Sequence, residues 1–161
     1  MNKNEIYEFL NNKNIEYELQ EHEAVYNMEE LSKIDLLYPE SDAKNIFVRD
    51  DKKSNYYLIT IKGNKKVDLK EFKNKYNTRR LSFASSDDLL NILNLTPGSV
   101  TPLGLLNDKE LKVIFFIDKE LINLNMIGIH PNDNTATIWI KTKDLLNVIE
   151  EHGNIINIYE E

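Results

Sequence analysis

The 161-residue chain predicts an α+β (mixed α/β) fold, a single domain over residues 1–161 with helices around a curved, mixed, largely antiparallel central sheet. Three observations lead there. Apolar residues recur with a period of two in some stretches and at helical spacing in others. Neighbouring strands are joined in places by short polar turns and in places by a helix. Neither a Gly-x-Gly-x-x-Gly nor a Walker loop is present, which argues against a doubly wound nucleotide fold.

Taken in order, Ile6, Phe9 and Leu10 fall on one helical face, and Ile15–Leu19 alternates as a half-buried strand. Asn27 is placed to cap a second helix through Leu31 and Ile34, closed by Pro39. Residues 43–48 and 56–61 read as a hairpin across the polar turn 50–55. Asp68-Leu69-Lys70-Glu71 has the form of a capping box for a helix reaching Tyr76. A short strand from Arg80 to Ala84 precedes a helix capped by the 85–88 stretch, with Leu89, Leu90 and Leu93 facing inward. Leu111–Ile117 is apolar throughout, as in a strand covered on both faces. Strands at 126–129 and 135–140, a helix from Thr142 to Gly153 and a strand at 155–158 complete the chain.

Hydrophobic content of 41% and charged content of 29% describe an ordinary globule with a real core. The chain has no cysteine, so disulfides and thiolate chemistry are excluded. No apolar run approaches the length of a membrane span and the N-terminus has no signal-like core, so a cytoplasmic protein without a membrane partner is expected. The net charge of −7 is a weak argument against nonspecific nucleic-acid binding, and no DNA partner is expected. Its distribution is uneven: residues 1–40 hold ten acids against three bases, whereas residues 62–80 hold eight bases against Asp68 and Glu71. That basic segment reads either as a solvated helix face or as a surface for a phosphate backbone.

The residues that could carry chemistry are few. His22, His130 and His152 show no metal-ligand spacing, and no serine sits in Gly-x-Ser-x-Gly. His152 closes a helix and His22 is expected at the surface. Lys44 opens a strand, where it is either an edge charge or an anion-binding ammonium. His130, ahead of Pro131, is either a packed histidine or a pocket residue. The stretch Thr96–Asp108 combines Pro97, Gly98, Pro102 and Gly104 into a rigid turn whose amides can converge, although its composition by itself favours a connecting loop.

In order along the chain stand Lys44-Asn45, Leu81-Ser82-Phe83-Ala84-Ser85, Gly98-Ser99-Val100-Thr101-Pro102 and Gly128-Ile129-His130-Pro131 followed by Asn134. Together these resemble the YbaK/ProX family of aminoacyl-tRNA deacylases, relatives of the editing domain of bacterial prolyl-tRNA synthetases, and within it the ProX/PrdX-like branch. The likeness covers nearly the whole chain. It implies trans-editing hydrolysis of mischarged tRNA(Pro), with alanine as the expected amino acid, by substrate-assisted attack of water without metal or cofactor. Lys44 is then the essential lysine. Asn27, Asn45, Gly98, Ser99, Val100, Thr101, Pro102 and His130 are the expected substrate-binding residues. Asn27 stands where the family often has threonine. The acceptor end of tRNA(Pro) is the implied partner, with prolyl-tRNA synthetase as a second. A Cys- or Ser-specific deacylase and a non-catalytic tRNA-binding module are the alternatives.

Overall fold

The computed structural model describes residues 1–161, apart from the side chains of Met28 and Ser32. A capping box opens it: Asn2 Oδ1 accepts from the Glu5 amide at 2.9 Å and Glu5 Oε1 accepts from the Asn2 amide at 3.1 Å. The helix it starts, α1 (Lys3–Asn12), buries Ile6 and Leu10. Strand β1 (Tyr17–Glu21) and helix α2 (Met28–Ser32) follow. Helix α2 is shorter than the spacing of apolar residues suggests, and the chain turns through residues 33–38 before a 3-10 turn at Pro39–Ser41.

The hairpin expected from the sequence is β2 (Ala43–Asp50) and β3 (Tyr56–Lys62). Buried Asp50 closes its turn by accepting from the Ser54 amide at 2.8 Å and from Asn55 Nδ2 at 2.9 Å. Asp68 caps α3 (Leu69–Tyr76) through the amides of Lys70 and Glu71. Ser85 caps α4 (Ser86–Leu93), which follows the short strand β4 (Leu81–Phe83). Strand β5 (Val113–Asp118) runs directly into α5 (Lys119–Leu124), capped by Asp118, a helix the sequence reading leaves out. The remaining elements are β6 (Ile127–Ile129), β7 (Ala136–Ile140), α6 (Thr142–His152) and β8 (Ile156–Tyr159). Asn77, Asn94 and Asn125 close α3, α4 and α5 in the left-handed conformation, and Gly153 does the same for α6.

The mixed α/β class holds, with the strands divided between two sheets. One has the order β4-β2-β3-β5-β8, with β5 parallel to both neighbours; the other is antiparallel, in the order β1-β7-β6. They meet where Asp42 bridges Gly128. Gly128 is glycine for want of room, since a Cβ there would fall 2.1 Å from the Trp139 ring. The larger sheet is covered on both faces. Phe47, Leu58 and Phe115 join Ile6, Leu93 and Ile138 in the main core, and Val48, Ile59 and Ile61 pack under Phe72 of α3. Among the described residues, no helix is long and apolar enough to cross a membrane.

Candidate active site

The short length of β4 determines where the site lies. β4 pairs with β2 only over Val48–Asp50, and the last contact on that side is the Ala84 amide donating to the Phe47 carbonyl at 3.0 Å. Backbone groups alternate between the two edges of a strand, so Ala43 and Asn45 turn their N–H and C=O toward this same edge, where β4 has ended. Against that open edge lies a cavity of about 230 Å³. Lys44, Asn45, Gly98, Val100 and His130 line it together with Asn27.

Each of these side chains is held differently. Lys44 is half-buried, and among the described residues no carboxylate forms an ion pair with it. Asn45 Oδ1 accepts from the Thr60 hydroxyl at 2.5 Å, which leaves its Nδ2 as a donor toward the cavity. Asn27 caps α2 by accepting from the Glu30 amide at 2.8 Å, while Glu30 accepts from the Tyr26 amide at 2.8 Å. Its side-chain oxygen is therefore already engaged in fixing the helix that closes one side of the cavity.

His130 sits at the end of β6, with Nδ1 2.8 Å from the Ala136 carbonyl. A carbonyl can only accept, so Nδ1 carries the proton and Nε2 presents a lone pair. Burial holds the imidazole below its usual pKa, with His22 adding to that effect and the Ala136 bond opposing it, so the ring is neutral near pH 7. His22, expected at the surface, is half-buried and engaged. The β1–β7 register brings it beside Thr137, whose Oγ1 is 2.8 Å from its Nε2, and its ring centre is 6.1 Å from that of His130.

The 96–102 loop divides into two faces. Gly98 (φ +92°) and Val100 line the cavity, and among the described residues their amides have no protein acceptor. Ser99, Thr101 and Pro102 are buried behind them. The Ser99 amide is used inside the turn, donating to the Thr96 carbonyl at 3.0 Å. The Thr101 hydroxyl donates to the His130 carbonyl at 2.6 Å, tying the loop to β6. Gly98 is required twice over: its φ is positive, and a Cβ there would lie 2.9 Å from the Tyr26 ring and 3.3 Å from Asn134 Nδ2. Asn134 in turn donates to the Val25 carbonyl at 2.9 Å, which fixes the segment leading into α2.

The apolar walls, Val25, Leu31 and Ala43, carry no sequence signal of their own and are brought in by tertiary packing. A larger cavity of about 560 Å³ lies on the other side of Leu31, with Asp42 and Lys62 in its lining. It contains neither the histidine nor the loop, so the smaller cavity is the one with the means for chemistry.

The signature of the family described as the aminoacyl-tRNA editing domain matches residues 22–148, a span that holds every residue of this cavity. The chain belongs to that family. As an aminoacyl-tRNA editing domain it is an aminoacyl-tRNA deacylase. It is 40% identical over 146 residues to the prolyl-tRNA editing protein ProX of Acetoanaerobium sticklandii, covering 91% of this chain and 89% of that protein. It is 33% identical over 151 residues to prolyl-tRNA synthetase associated domain-containing protein 1 of Danio rerio, with 92% and 82% covered. Among solved structures, a candidate trans-editing enzyme for prolyl-tRNA synthetase superposes with a TM-score of 0.64 at 16% identity over 90% of this chain and 87% of the other. A hypothetical protein, APE2540, superposes with a TM-score of 0.68 at 14% identity, covering 94% and 95%. At those identities the superpositions establish the fold of the editing domain.

Proposed function

We propose that the protein hydrolyses the aminoacyl ester of mischarged tRNA(Pro) in trans, with alanine as the amino acid released. The observation that carries this reading is the convergence on one small cavity of an unpaired ammonium, two unpaired amides and a neutral imidazole lone pair. The cavity is below the ~300 Å³ at which drug-sized pockets begin, which suits a small aminoacyl group against Val25, Leu31 and Val100.

The aminoacyl ester is already activated, so the protein's task is to hold it and to stabilise the charge that develops. Water attacks the carbonyl carbon and the carbonyl oxygen becomes an oxyanion. Lys44 and the Gly98 and Val100 amides supply donors fixed before reaction, worth roughly 3–4 kcal/mol for a well-placed donor. When the tetrahedral intermediate collapses, the ester bond to the terminal ribose breaks, and that oxygen leaves with the proton originally on the water. The vicinal ribose hydroxyl relays this proton, and His130 Nε2 accepts a hydrogen bond from the water or from the substrate ammonium. The products are the free amino acid and uncharged tRNA. Exclusion dominates selectivity, because a pocket gains only about 1–3 kcal/mol from one methylene but can reject a ring by steric clash.

The basic segment after β3 would meet the acceptor stem. Lys65 is not available for this, being held by Asp118 and Glu120, and Arg79 pairs with Asp51 through two bonds. Lys62 pairs with Glu120 and Lys75 donates to the Glu160 carbonyl, which leaves Lys66, Lys70, Lys73 and Arg80 for phosphate. Prolyl-tRNA synthetase is the source of the mischarged substrate in this reading. The test is deacylation of tRNA(Pro) charged with alanine, cysteine, serine or proline. Release of alanine well above the rest is expected. Faster release of cysteine or serine would move the specificity within the family, and release of none would leave only a tRNA-binding module.

A further inference from the structure

One sequence motif has no part in the site described above: Leu81-Ser82-Phe83-Ala84-Ser85. Its leucine is buried under α3, but Phe83, the last residue of the edge strand β4, leaves its phenyl ring 66% exposed. Phe83 pairs with Val48 across β4 and β2, so the two share a sheet face. Alternation along β2 puts Ile46 and Lys44 on that face as well. The distance along the strand from Lys44 to Val48 is four residues, about 13 Å.

The same face carries α3, whose Phe72 packs on Val48 and Leu81. The exposed side of α3 bears Lys70 and Lys73, and Arg80 precedes β4; among the described residues none of the three has a carboxylate ion-pair partner. The immediate neighbours of Phe83 in sequence, Ser82 and Ala84-Ser85, are small. The ring is therefore an exposed apolar surface on the sheet face that also carries α3 and its unpaired lysines. That combination is too small for a protein interface and fits a nucleobase with its phosphate.

We infer that Phe83 is a stacking platform for an unpaired base of the substrate's single-stranded 3′ end, which runs along the open edge of β2 to place the terminal ester at Lys44. At a stacked rise of about 3.4 Å per nucleotide, 13 Å corresponds to a base within the last four or so nucleotides. The inference rests on the deacylase reading for the direction of the strand, but not for the contact itself.

Two measurements keep those apart. The first is steady-state deacylation of alanyl-tRNA(Pro) by Phe83→Ala, Phe83→Leu and Phe83→Trp. Stacking predicts a KM raised about 5- to 100-fold in the alanine and leucine variants, an unchanged kcat, and near wild-type behaviour with tryptophan. The second is titration of Phe83→Trp with an uncharged ACCA oligonucleotide, followed by tryptophan fluorescence. Trp139 is 2% exposed and gives a constant background, so quenching reports the new ring. Quenching by the oligonucleotide supports the platform even if the wild type releases no amino acid, an outcome that would sink the deacylase reading alone. Wild-type KM in both the alanine and leucine variants, or wild-type KM with leucine and loss only with alanine, would overturn it. So would absence of quenching.

Discussion

Two lysines on the same hairpin and its exit loop sit among very different neighbours. Lys65 is largely buried against Asp118, with Nζ 2.9 Å from one carboxylate and 3.0 Å from Glu120. Burial opposes its charge, but the two carboxylates outweigh burial and hold the ammonium well above its usual pKa. Asp118 also accepts from the amides of Lys62 and Glu120, so every partner in that cluster is satisfied. Lys44 is half-buried beside the open strand edge and, among the described residues, has no such partner. The carboxylate nearest in sequence, Asp42, is buried just ahead of β2, lines the larger cavity and, among the described residues, does not pair with it. A satisfied cluster fixes the fold, whereas an unsatisfied ammonium has its donors open, which is what the proposed role of Lys44 requires.

Exchanging each lysine for methionine should separate the two roles. Lys65→Met leaves Asp118 buried with only amide donors, and should cost roughly 2–4 kcal/mol in denaturant unfolding. Lys44→Met breaks no ion pair and should unfold close to wild type. Equal losses from both would erase the contrast.

Asp42 provides a second test of the same contrast. Burial raises its pKa to about 7, with the Ala43 amide partly opposing. A carboxyl whose folded pKa is raised binds its proton more tightly in the fold than in the unfolded chain. Its contribution is therefore fullest below the unfolded value of 3.8 and is lost as pH rises toward about 7. Asp42→Asn should match wild-type stability near pH 4 and exceed it at pH 8 by about 1–3 kcal/mol. A difference that stays constant with pH would show that Asp42 is paired after all. His130 acts in the opposite sense. Its folded pKa is depressed, so its contribution is present above the unfolded value of 6.5 and fades as pH falls through the folded one.

The loop offers the smallest expected effects. Gly98→Val forces a β-branched residue to positive φ against Tyr26, and should lower kcat/KM more than about tenfold with the fold retained by circular dichroism. Ser99→Ala, behind the cavity, should change it less than about twofold. A reversed order would mean that the serine side chain, and not the backbone, faces the ester.

Much of this architecture is legible locally. The 50–55 turn, the Asp68 and Ser85 caps and the Gly153 terminus are each set by a few adjacent residues, and the structure places all of them within a residue or two. Helix α5 is not legible from periodicity, because six residues between two strands show little of it. Its two signals, Asp118 as the cap and Asn125 in the left-handed position, are visible once Asn77 and Asn94 are seen doing the same. What depends on long-range register is not legible. Whether the strands form one sheet or two, the pairing of His22 with Thr137, and the Val25 and Leu31 walls all follow from which distant strands pair. At the site, Lys44, Gly98 and His130 stand out as motif residues. The division of the loop into an amide-bearing front and a buried back follows only from the turn that consumes the Ser99 amide.

In the proposed mechanism an unpaired Lys44 ammonium at an open strand edge stabilises the oxyanion. Single-turnover release of alanine from alanyl-tRNA(Pro), with Lys44→Met in excess over substrate, measures that step without interference from binding. The expected rate is roughly 10²- to 10³-fold below wild type in a protein of unchanged melting temperature. A rate within a few-fold of wild type would contradict it.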